Sequence, residues 1–183
     1  SAMQIVSAMS YQPVYTERDN TIAPHEFAAR LVEMARKYTT THGQPLILVE
    51  SNNHGHAVLR ELETLGYKNL WRDANRKPWT TTHKSKIDAY DNLREFVVNG
   101  MIFRLDQSTL IELRSLQIIK VSPEAPAGLH DDLAMSLALA YRALRDVPAS
   151  KRREAVGTRM QDIMSNVRAR KTRARRLPWS VNR

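Results

Sequence analysis

Hydrophobic residues recur first at strand spacing and then at helical spacing along the early part of the chain. Residues 3–9 and 13–18 read as two short strands joined by a tight turn. In 24–38 the apolar residues recur every three or four positions, which predicts an amphipathic helix. Residues 46–50, Leu-Ile-Leu-Val-Glu, are apolar up to the last position. That pattern is typical of a central strand that is buried on both faces and has an acid at its carboxyl end.

The rest of the chain predicts helices separated by short strands and loops. Capping residues at 51–53 start a helix that ends at Gly66. The last predicted helix of the globular part, 133–144, is apolar almost all round, so we expect it to be buried across a sheet. Between these two helices the pattern gives a strand at 67–71, a polar loop at 72–83, a helix ending at Asn99, a strand at 101–105, a helix at 109–116 and a strand or extended run at 118–121. This order predicts a mixed α/β architecture in which helices cover a sheet.

The composition is that of a globular domain, and it excludes sites that depend on cysteine. The chain has 183 residues, of which 42% are hydrophobic and 26% are charged, enough to bury a core. It has no cysteine, which excludes disulfide scaffolds, thiol nucleophiles, zinc fingers and iron–sulfur clusters. No apolar run reaches the roughly 20 residues of a membrane helix, and no N-terminal segment reads as a secretory signal.

The positive charge is concentrated at the carboxyl end. The net charge is +9, and residues 151–183 hold 11 basic and 2 acidic residues, which leaves 17 of each sign for residues 1–150. We therefore expect a neutral globular domain over 1–147 and a basic helical or disordered tail over 148–183. Such a tail attracts polyanions, with nucleic acid first and an anionic membrane second.

Carboxylates stand at two places where a fold of this class gathers ligands. Glu50 closes the apolar strand, and Asp131 and Asp132 open the buried helix. Ligands of open α/β sheets lie outside the carboxyl ends of the strands, so packing of that helix on that strand would bring the three acids to one point. Their mutual repulsion would require a divalent cation, and oxygen-only ligands select Mg²⁺ or Mn²⁺. Two simpler interpretations stay open: an acid at a helix start caps the helix, and a Glu at a strand end points into solvent.

Several motifs of this sequence resemble those of one known family, the C-terminal nuclease domain of phage terminase large subunits. The segment 49–55, Val-Glu-Ser-Asn-Asn-His-Gly, is similar to the family's middle motif. The segment 128–138, Gly-Leu-His-Asp-Asp-Leu-Ala-Met-Ser-Leu-Ala, resembles its closing acidic motif. Three stretches between them look like the family's intervening segments: Trp79-Thr80-Thr81-Thr82 with Lys84, Asn99-Gly100-Met101-Ile102, and Ile111-Glu112-Leu113. The resemblance runs in order from about residue 3 to residue 145.

The resemblance implies a ribonuclease H-like fold, a mixed sheet flanked by helices, and an endonuclease that cuts concatemeric DNA during packaging. Glu50 would bind metal by its match to the middle motif; Asp131 and Asp132 match the last motif, with Asp132 preferred as the direct ligand. Two Mg²⁺ or Mn²⁺ ions about 4 Å apart would activate a water and stabilise the leaving 3′ oxygen. The family's first catalytic Asp lies on a strand upstream of 3–9, so this chain is expected to lack that strand and one ligand. His130 matches a position beside the ligands, although an ordinary helix-start histidine is the simpler interpretation.

The resemblance also implies partners and a location. The partners are double-stranded DNA, an ATPase motor domain upstream in the same polypeptide, the portal and the small terminase subunit. The expected location is the host cytoplasm, with no membrane contact. No Gly-x-x-x-x-Gly-Lys-Ser/Thr motif occurs in the chain, so the ATP-driven motor is not part of it.

Candidate DNA contacts are a helix start and a set of basic side chains. They are Asn53, Arg72, Arg76, Lys77, Lys84, Arg170, Lys171 and Arg173. The simpler interpretation is an ordinary helix start for Asn53, a solvated surface for the four basic residues between 72 and 84, and a solubilising extension for the tail. Trp71 and Trp79 are interpreted as core or loop anchors rather than as base-stacking groups.

Two other functions stay open at this point. A Holliday-junction resolvase or a transposase-like strand-transfer enzyme would use the same fold, and a preference for branched junctions would separate it from unselective cutting of duplex DNA. A non-enzymatic, basic DNA-binding or assembly module would bind DNA in a salt-sensitive way without metal, and would not need the three acids.

Overall fold

Five helices and two antiparallel strand pairs make up the part of the chain that the structure, a computed structural model, describes: residues 1–52, 54–119 and 122–148. The elements in chain order are β1 Ala2–Val6, β2 Pro13–Arg18, α1 Pro24–Lys37, α2 Gly55–Thr64, α3 His83–Val98, α4 Gln107–Ser115, β3 Gln117–Ile119, β4 Ser122–Glu124 and α5 Asp132–Arg145. The predicted tail falls almost entirely outside the described residues. The predicted mixed α/β class is confirmed.

The two N-terminal strands pair as the alternating pattern predicts. β1 and β2 form an antiparallel ladder that runs from Ala2 opposite Arg18 to Ile5 opposite Tyr15, and the register shifts after Ile5. β1 ends at Val6 rather than at residue 9 because the chain already turns there. Tyr11, in the left-handed region at φ 58°, completes that turn.

The predicted central strand 46–50 is extended but only half-buried, so the expectation of full burial was wrong. Its ladder consists of two parallel bridges, Ile47 to Leu70 and Glu50 to Trp79. The predicted strand 67–71 is likewise reduced to the single bridge at Leu70. Leu46 and Leu48 contact the core around α5, whereas Ile47 and Val49 contact the core around α1 and α2, so the segment alternates as a strand does. It is not fully buried because its other edge faces a groove instead of a neighbouring strand.

The strand predicted at 101–105 is absent, and a side chain takes the place of a ladder. The Gln12 amide donates to the carbonyl oxygen of Met101 at 2.5 Å and accepts from the amide of Phe103 at 3.2 Å. Gln12 is buried at 8% exposure, so its polar atoms require such partners. One glutamine therefore satisfies the backbone groups that a strand partner would have taken.

Two apolar clusters lie on opposite faces of the strand layer. One is built on α5, where Leu133, Leu137 and Tyr141 are almost fully buried, which confirms the prediction of a buried helix over 133–144. The other joins α1 and α2 beneath β1. No helix among the described residues is long and apolar enough to cross a membrane.

A groove of about 900 Å³ separates β1 from the segment 46–50, and we call it the central groove. Its lining includes both of these extended segments together with residues of α1 and α5. The Ser136 hydroxyl, in the first turns of α5, donates to the carbonyl oxygen of Ala2 at 3.5 Å, so β1 starts near the amino end of α5. The backbone amide of Trp71 donates to the carbonyl oxygen of Ile47, and its indole N–H donates to Asp146 at the other end of α5. The two walls therefore run in opposite directions, and Glu50 lies at the end where β1 begins.

Candidate functional site

Glu50 is held at the end of the central groove by bonds on both sides of it. The amide of Ser51 donates to the carbonyl oxygen of Trp79 at 2.7 Å, which fixes the backbone, and the Asn52 side-chain amide donates to Glu50 Oε1 at 3.0 Å. Glu50 and Asn52 both line the groove. The Glu50 side chain is half-buried and bonded to Asn52, at a groove that is open to solvent.

Gly55 lets the start of α2 lie directly against the backbone of Glu50. A Cβ at Gly55 would stand 1.7 Å from the Glu50 carbonyl oxygen and 2.8 Å from its carbonyl carbon. Such distances are impossible for a real side chain, so only glycine fits here. The sequence showed this residue only as part of a helix start, because a contact five residues back along the chain leaves no mark in a hydrophobic pattern.

The two aspartates at the start of α5 line the same groove as Glu50 and Lys86 of α3. Because β1 begins near the amino end of α5, we place these aspartates at the end where Glu50 lies. Asp131 stands at the N-cap position, but its side chain makes no capping bond. Its Oδ2 instead accepts from Lys86 Nζ at 2.8 Å. Asp132 is exposed and has no side-chain partner among the described residues.

Glu112 of α4 supplies the cap that Asp131 does not. Glu112 Oε2 accepts from the amides of Leu133 and Ala134 at 2.7 and 3.1 Å, and Oε1 accepts from Arg18 at 2.8 Å. The Glu112 side chain is only 8% exposed, and Arg18 balances its charge. Sequence reasoning assigned Glu112 no role beyond its place in a motif, because two of its partners lie 21 and 94 residues away along the chain.

The carboxylates act together on one buried phenol. The Tyr90 hydroxyl is buried without a hydrogen-bond partner in the described part of the chain. Burial and then the negative charges of Asp131, Glu112 and Glu50 raise the pKa of Tyr90 well above its ordinary value. Tyr90 therefore stays neutral at physiological pH and adds no charge to the region.

The three acids Glu50, Asp131 and Asp132 offer the type of oxygen atom that binds a divalent cation, but too few ligands are grouped among the described residues to hold one. Carboxylate oxygens are the donors that Mg²⁺ and Mn²⁺ prefer. Within residues 1–52, 54–119 and 122–148, however, no three His, Cys, Asp or Glu side chains are grouped closely enough to hold a metal ion. Lys86 already donates to one carboxylate oxygen of Asp131, and Asn52 already donates to one carboxylate oxygen of Glu50. The prediction that Glu50, Asp131 and Asp132 share a metal thus remains a prediction, with all three at one end of the groove.

The predicted DNA contacts differ in how free their charges are. Arg72 is already paired, with NH2 at 2.7 Å from Glu63 Oε1. Lys84, in the first turn of α3, and Arg76 and Lys77, in the turn closed by Asp73, are exposed. Asn53, Arg170, Lys171 and Arg173 lie outside the described residues. His130 is exposed and does not line the groove, in keeping with the simpler interpretation of it.

The two tryptophans of the 71–79 region are core residues, as predicted. Trp71 and Trp79 are each 7% exposed, and their rings meet edge to face with centroids 5.7 Å apart. Buried indoles cannot stack on DNA bases, so their contribution is to join this loop to α5.

Solved structures with a similar fold are found, although the two sequence comparisons find no match. No family model matches the sequence, and no curated protein matches it significantly. The crystal structure of the large terminase nuclease from thermophilic phage G20c with bound magnesium is similar at a TM-score of 0.62 and 23% identity, over 77% of this chain and 72% of that one. The same phage's nuclease with bound cobalt gives a TM-score of 0.60 at 21% identity, over 78% and 81%. At this identity the likeness concerns the fold: the chain folds like a large terminase nuclease, and the predicted ribonuclease H-like class is confirmed.

Proposed function

We propose that this chain is the metal-dependent nuclease domain of a phage DNA-packaging terminase large subunit and hydrolyses DNA phosphodiester bonds. One observation carries the proposal: Glu50, Asp131 and Asp132 line one end of a single groove in a fold similar to that of terminase nucleases. Before the structure these acids were related only by motif and by position along the chain. Their shared position supports a common role.

The roles of the residues follow from their contacts. Glu50 and Asp132 are the direct metal ligands, because Asp132 is exposed at the groove and has no partner among the described side chains. Asp131 contributes charge and is oriented by Lys86. Bound Mg²⁺ or Mn²⁺ would supply an activated water and stabilisation of the leaving oxygen at this place.

The central groove is suited to one more strand, which would complete the acid set. A strand antiparallel to β1 and parallel to 46–50 would pair with both walls and end beside Ser1 and Glu50. An Asp near the end of that strand would be the further carboxylate that the described residues do not supply. The first strand implied by the resemblance would carry this acid.

DNA would approach the acid end of the groove from solvent. Lys84, Arg76 and Lys77 are exposed cations that can bind backbone phosphates, and the basic tail, including Arg170, Lys171 and Arg173, would add sequence-independent attraction. An upstream ATPase domain, the portal and the small subunit are the proposed partners, within the host cytoplasm.

Plasmid nicking tests the assignment of the acids. In a longer chain that adds an Asp-bearing strand before Ser1, we expect Mn²⁺-dependent nicking of supercoiled plasmid that EDTA abolishes. Glu50→Ala and Asp132→Ala should each reduce the rate on the order of a hundredfold or more, since each removes a metal ligand. Glu33→Ala is the matched control, because Glu33 is an exposed acid of α1 whose partner is Arg30.

Each of the other outcomes would either overturn the proposed site or indicate another function. Nicking that survives both substitutions would overturn the site. A preference for four-way junctions over duplex DNA would indicate a resolvase. DNA binding without cleavage, insensitive to EDTA and to loss of the three acids, would indicate a binding or assembly module.

A further inference from the structure

The amino end of α5 is capped by a residue of another helix. An N-cap side chain ordinarily accepts from the amide of the second or third helical residue, which in α5 are Leu133 and Ala134. Glu112 Oε2 takes both of these amides, at 2.7 and 3.1 Å. Asp131, which stands at the N-cap itself, has ψ 20° instead of the usual extended value and makes no capping bond.

The Asp131 carboxylate is consequently available for the groove. It accepts from Lys86 at 2.8 Å and lines the groove beside Asp132. If Glu112 were removed, its two amides would be orphaned at a buried position, and Asp131 is the adjacent carboxylate able to take them. The Asp131 carboxylate can either cap these amides or contact Lys86, but it cannot do both.

We propose that Glu112 is a positioning residue for the metal centre: by capping α5 in place of Asp131, it keeps the Asp131 carboxylate on Lys86 and in the groove. The capping exchange stands on the geometry alone, whereas its effect on metal binding rests on the proposed function. Burial and the Arg18 contact hold Glu112 in this position, since a charge at 8% exposure needs its partners.

A double-mutant cycle on the full chain measures the exchange without any metal. The thermal midpoints of unfolding are compared for the wild type, Glu112→Ala, Asp131→Ala and the double variant. If Asp131 takes over the cap when Glu112 is absent, the fall caused by Asp131→Ala should be larger by about 2–4 °C in the Glu112→Ala background than in the wild type. An equal or smaller fall in that background would overturn the exchange.

Glu112→Gln provides rescue, because glutamine keeps an oxygen that can accept from the α5 amides. In that background the fall caused by Asp131→Ala should return to its wild-type size. Should Glu112→Ala not fold, Glu112→Asp replaces it in the cycle, since the shorter side chain keeps a charge near Arg18 but withdraws from α5. Glu26→Ala is the matched control: Glu26 is an acid in the first turn of α1 that accepts from the amide of Ala23. It should show no coupling to Asp131.

The metal arm uses Mn²⁺ alone, titrated calorimetrically into the longer chain that adds an Asp-bearing strand before Ser1, because the described acids alone are too few to hold a metal ion. Glu112→Ala should weaken binding about tenfold, because it withdraws the Asp131 charge from beside the metal ligands, and should have no further effect once Asp131 is alanine. A full tenfold loss in the Asp131→Ala background would show that Glu112 acts by another route and would overturn the proposal. If the wild type binds no Mn²⁺, the metal centre fails, while the unfolding cycle still decides whether Glu112 and Asp131 exchange the cap.

Discussion

At the scale of single residues, Gly55 is the position where sequence and site are most tightly linked. The start of α2 touches the Glu50 backbone, and the space that any Cβ would need is taken by the Glu50 carbonyl group. The obstacle is backbone, which cannot rotate away as a side chain can. A larger residue must therefore move either α2 or Glu50.

We expect Gly55→Ala to lower the free energy of unfolding by about 3 kcal/mol, at the upper end of overpacking costs. It should also reduce plasmid nicking by the longer chain more than the stability loss explains, because Glu50 is displaced. Urea titration and nicking rates measure the two effects. His56→Ala, an exposed change in the same helical turn, should stay within about 0.5 kcal/mol. A stable Gly55→Ala chain with normal nicking would contradict this account of Glu50.

The sequence pointed to the residues that are proposed to carry the chemistry, but not to those that position them. Glu50, Asp131 and Asp132 stand out because they occur together beside the most apolar predicted strand and helix of the chain. Glu112 and Lys86 do not, since each acts through a partner far away in the chain: Lys86 lies 45 residues from Asp131. Contacts of that kind depend on the packing of helices, which no local pattern records.

At the scale of elements, one side chain fastens the carboxyl end of α5 to the 71–79 loop. The Arg142 guanidinium lies 5.6 Å from the ring centre of Trp71 and 5.9 Å from that of Trp79. It also contacts Asp146, which accepts from the Trp71 indole at 2.6 Å. Arg142 thus closes a ring of contacts between a helix and a loop that has few backbone hydrogen bonds.

Arg142→Lys should destabilise the chain by about 0.5–1 kcal/mol in urea unfolding. Lysine keeps the charge near Asp146 but lacks the flat group that spans both indoles. Arg145→Lys, one turn further along α5, is the matched control. Its ion pair with Glu95 is largely exposed, so its change should be smaller than about 0.5 kcal/mol. Equal losses in the two variants would show that the indole contacts add nothing.

Helices were predicted more reliably than strands, and the reason is physical. The 24–38 and 133–144 patterns match α1 and α5 closely, because an amphipathic period is contained in one segment. A strand needs a partner: 46–50 alternates as expected but has only two bridges, and 101–105 is apolar enough for a strand yet is paired by Gln12. Which segments meet edge to edge cannot be derived from either sequence alone.

At the scale of the whole molecule, charge separates the chain into a neutral part and a basic part. Residues 1–150 sum to zero, and the whole net charge of +9 comes from 151–183. Sequence-independent DNA binding depends on the number of phosphates that Lys and Arg neutralise. The tail, not the domain that contains the acids, is therefore expected to supply most of the affinity.

Truncation after Pro148 should weaken binding of duplex DNA at least about tenfold at low salt and flatten the dependence of affinity on salt concentration. Fluorescence anisotropy across a salt series measures both quantities. A chain whose tail residues are shuffled in order, with composition unchanged, should bind as the wild type does. Unchanged affinity after truncation would assign DNA binding to cations of the domain, such as Lys84 and Lys77.

The central groove has a consequence for how this polypeptide behaves in concentrated solution. Among the described residues β1 pairs with β2, and 46–50 is bridged to Leu70 and Trp79, so the edges of both segments that face the groove are open to any extended peptide, including one from a neighbouring copy. A high protein concentration would then favour aggregation or domain swapping between molecules. A strand that binds in the groove would also block pairing between copies of this polypeptide. The same binding step would therefore both complete the acid cluster and prevent self-association.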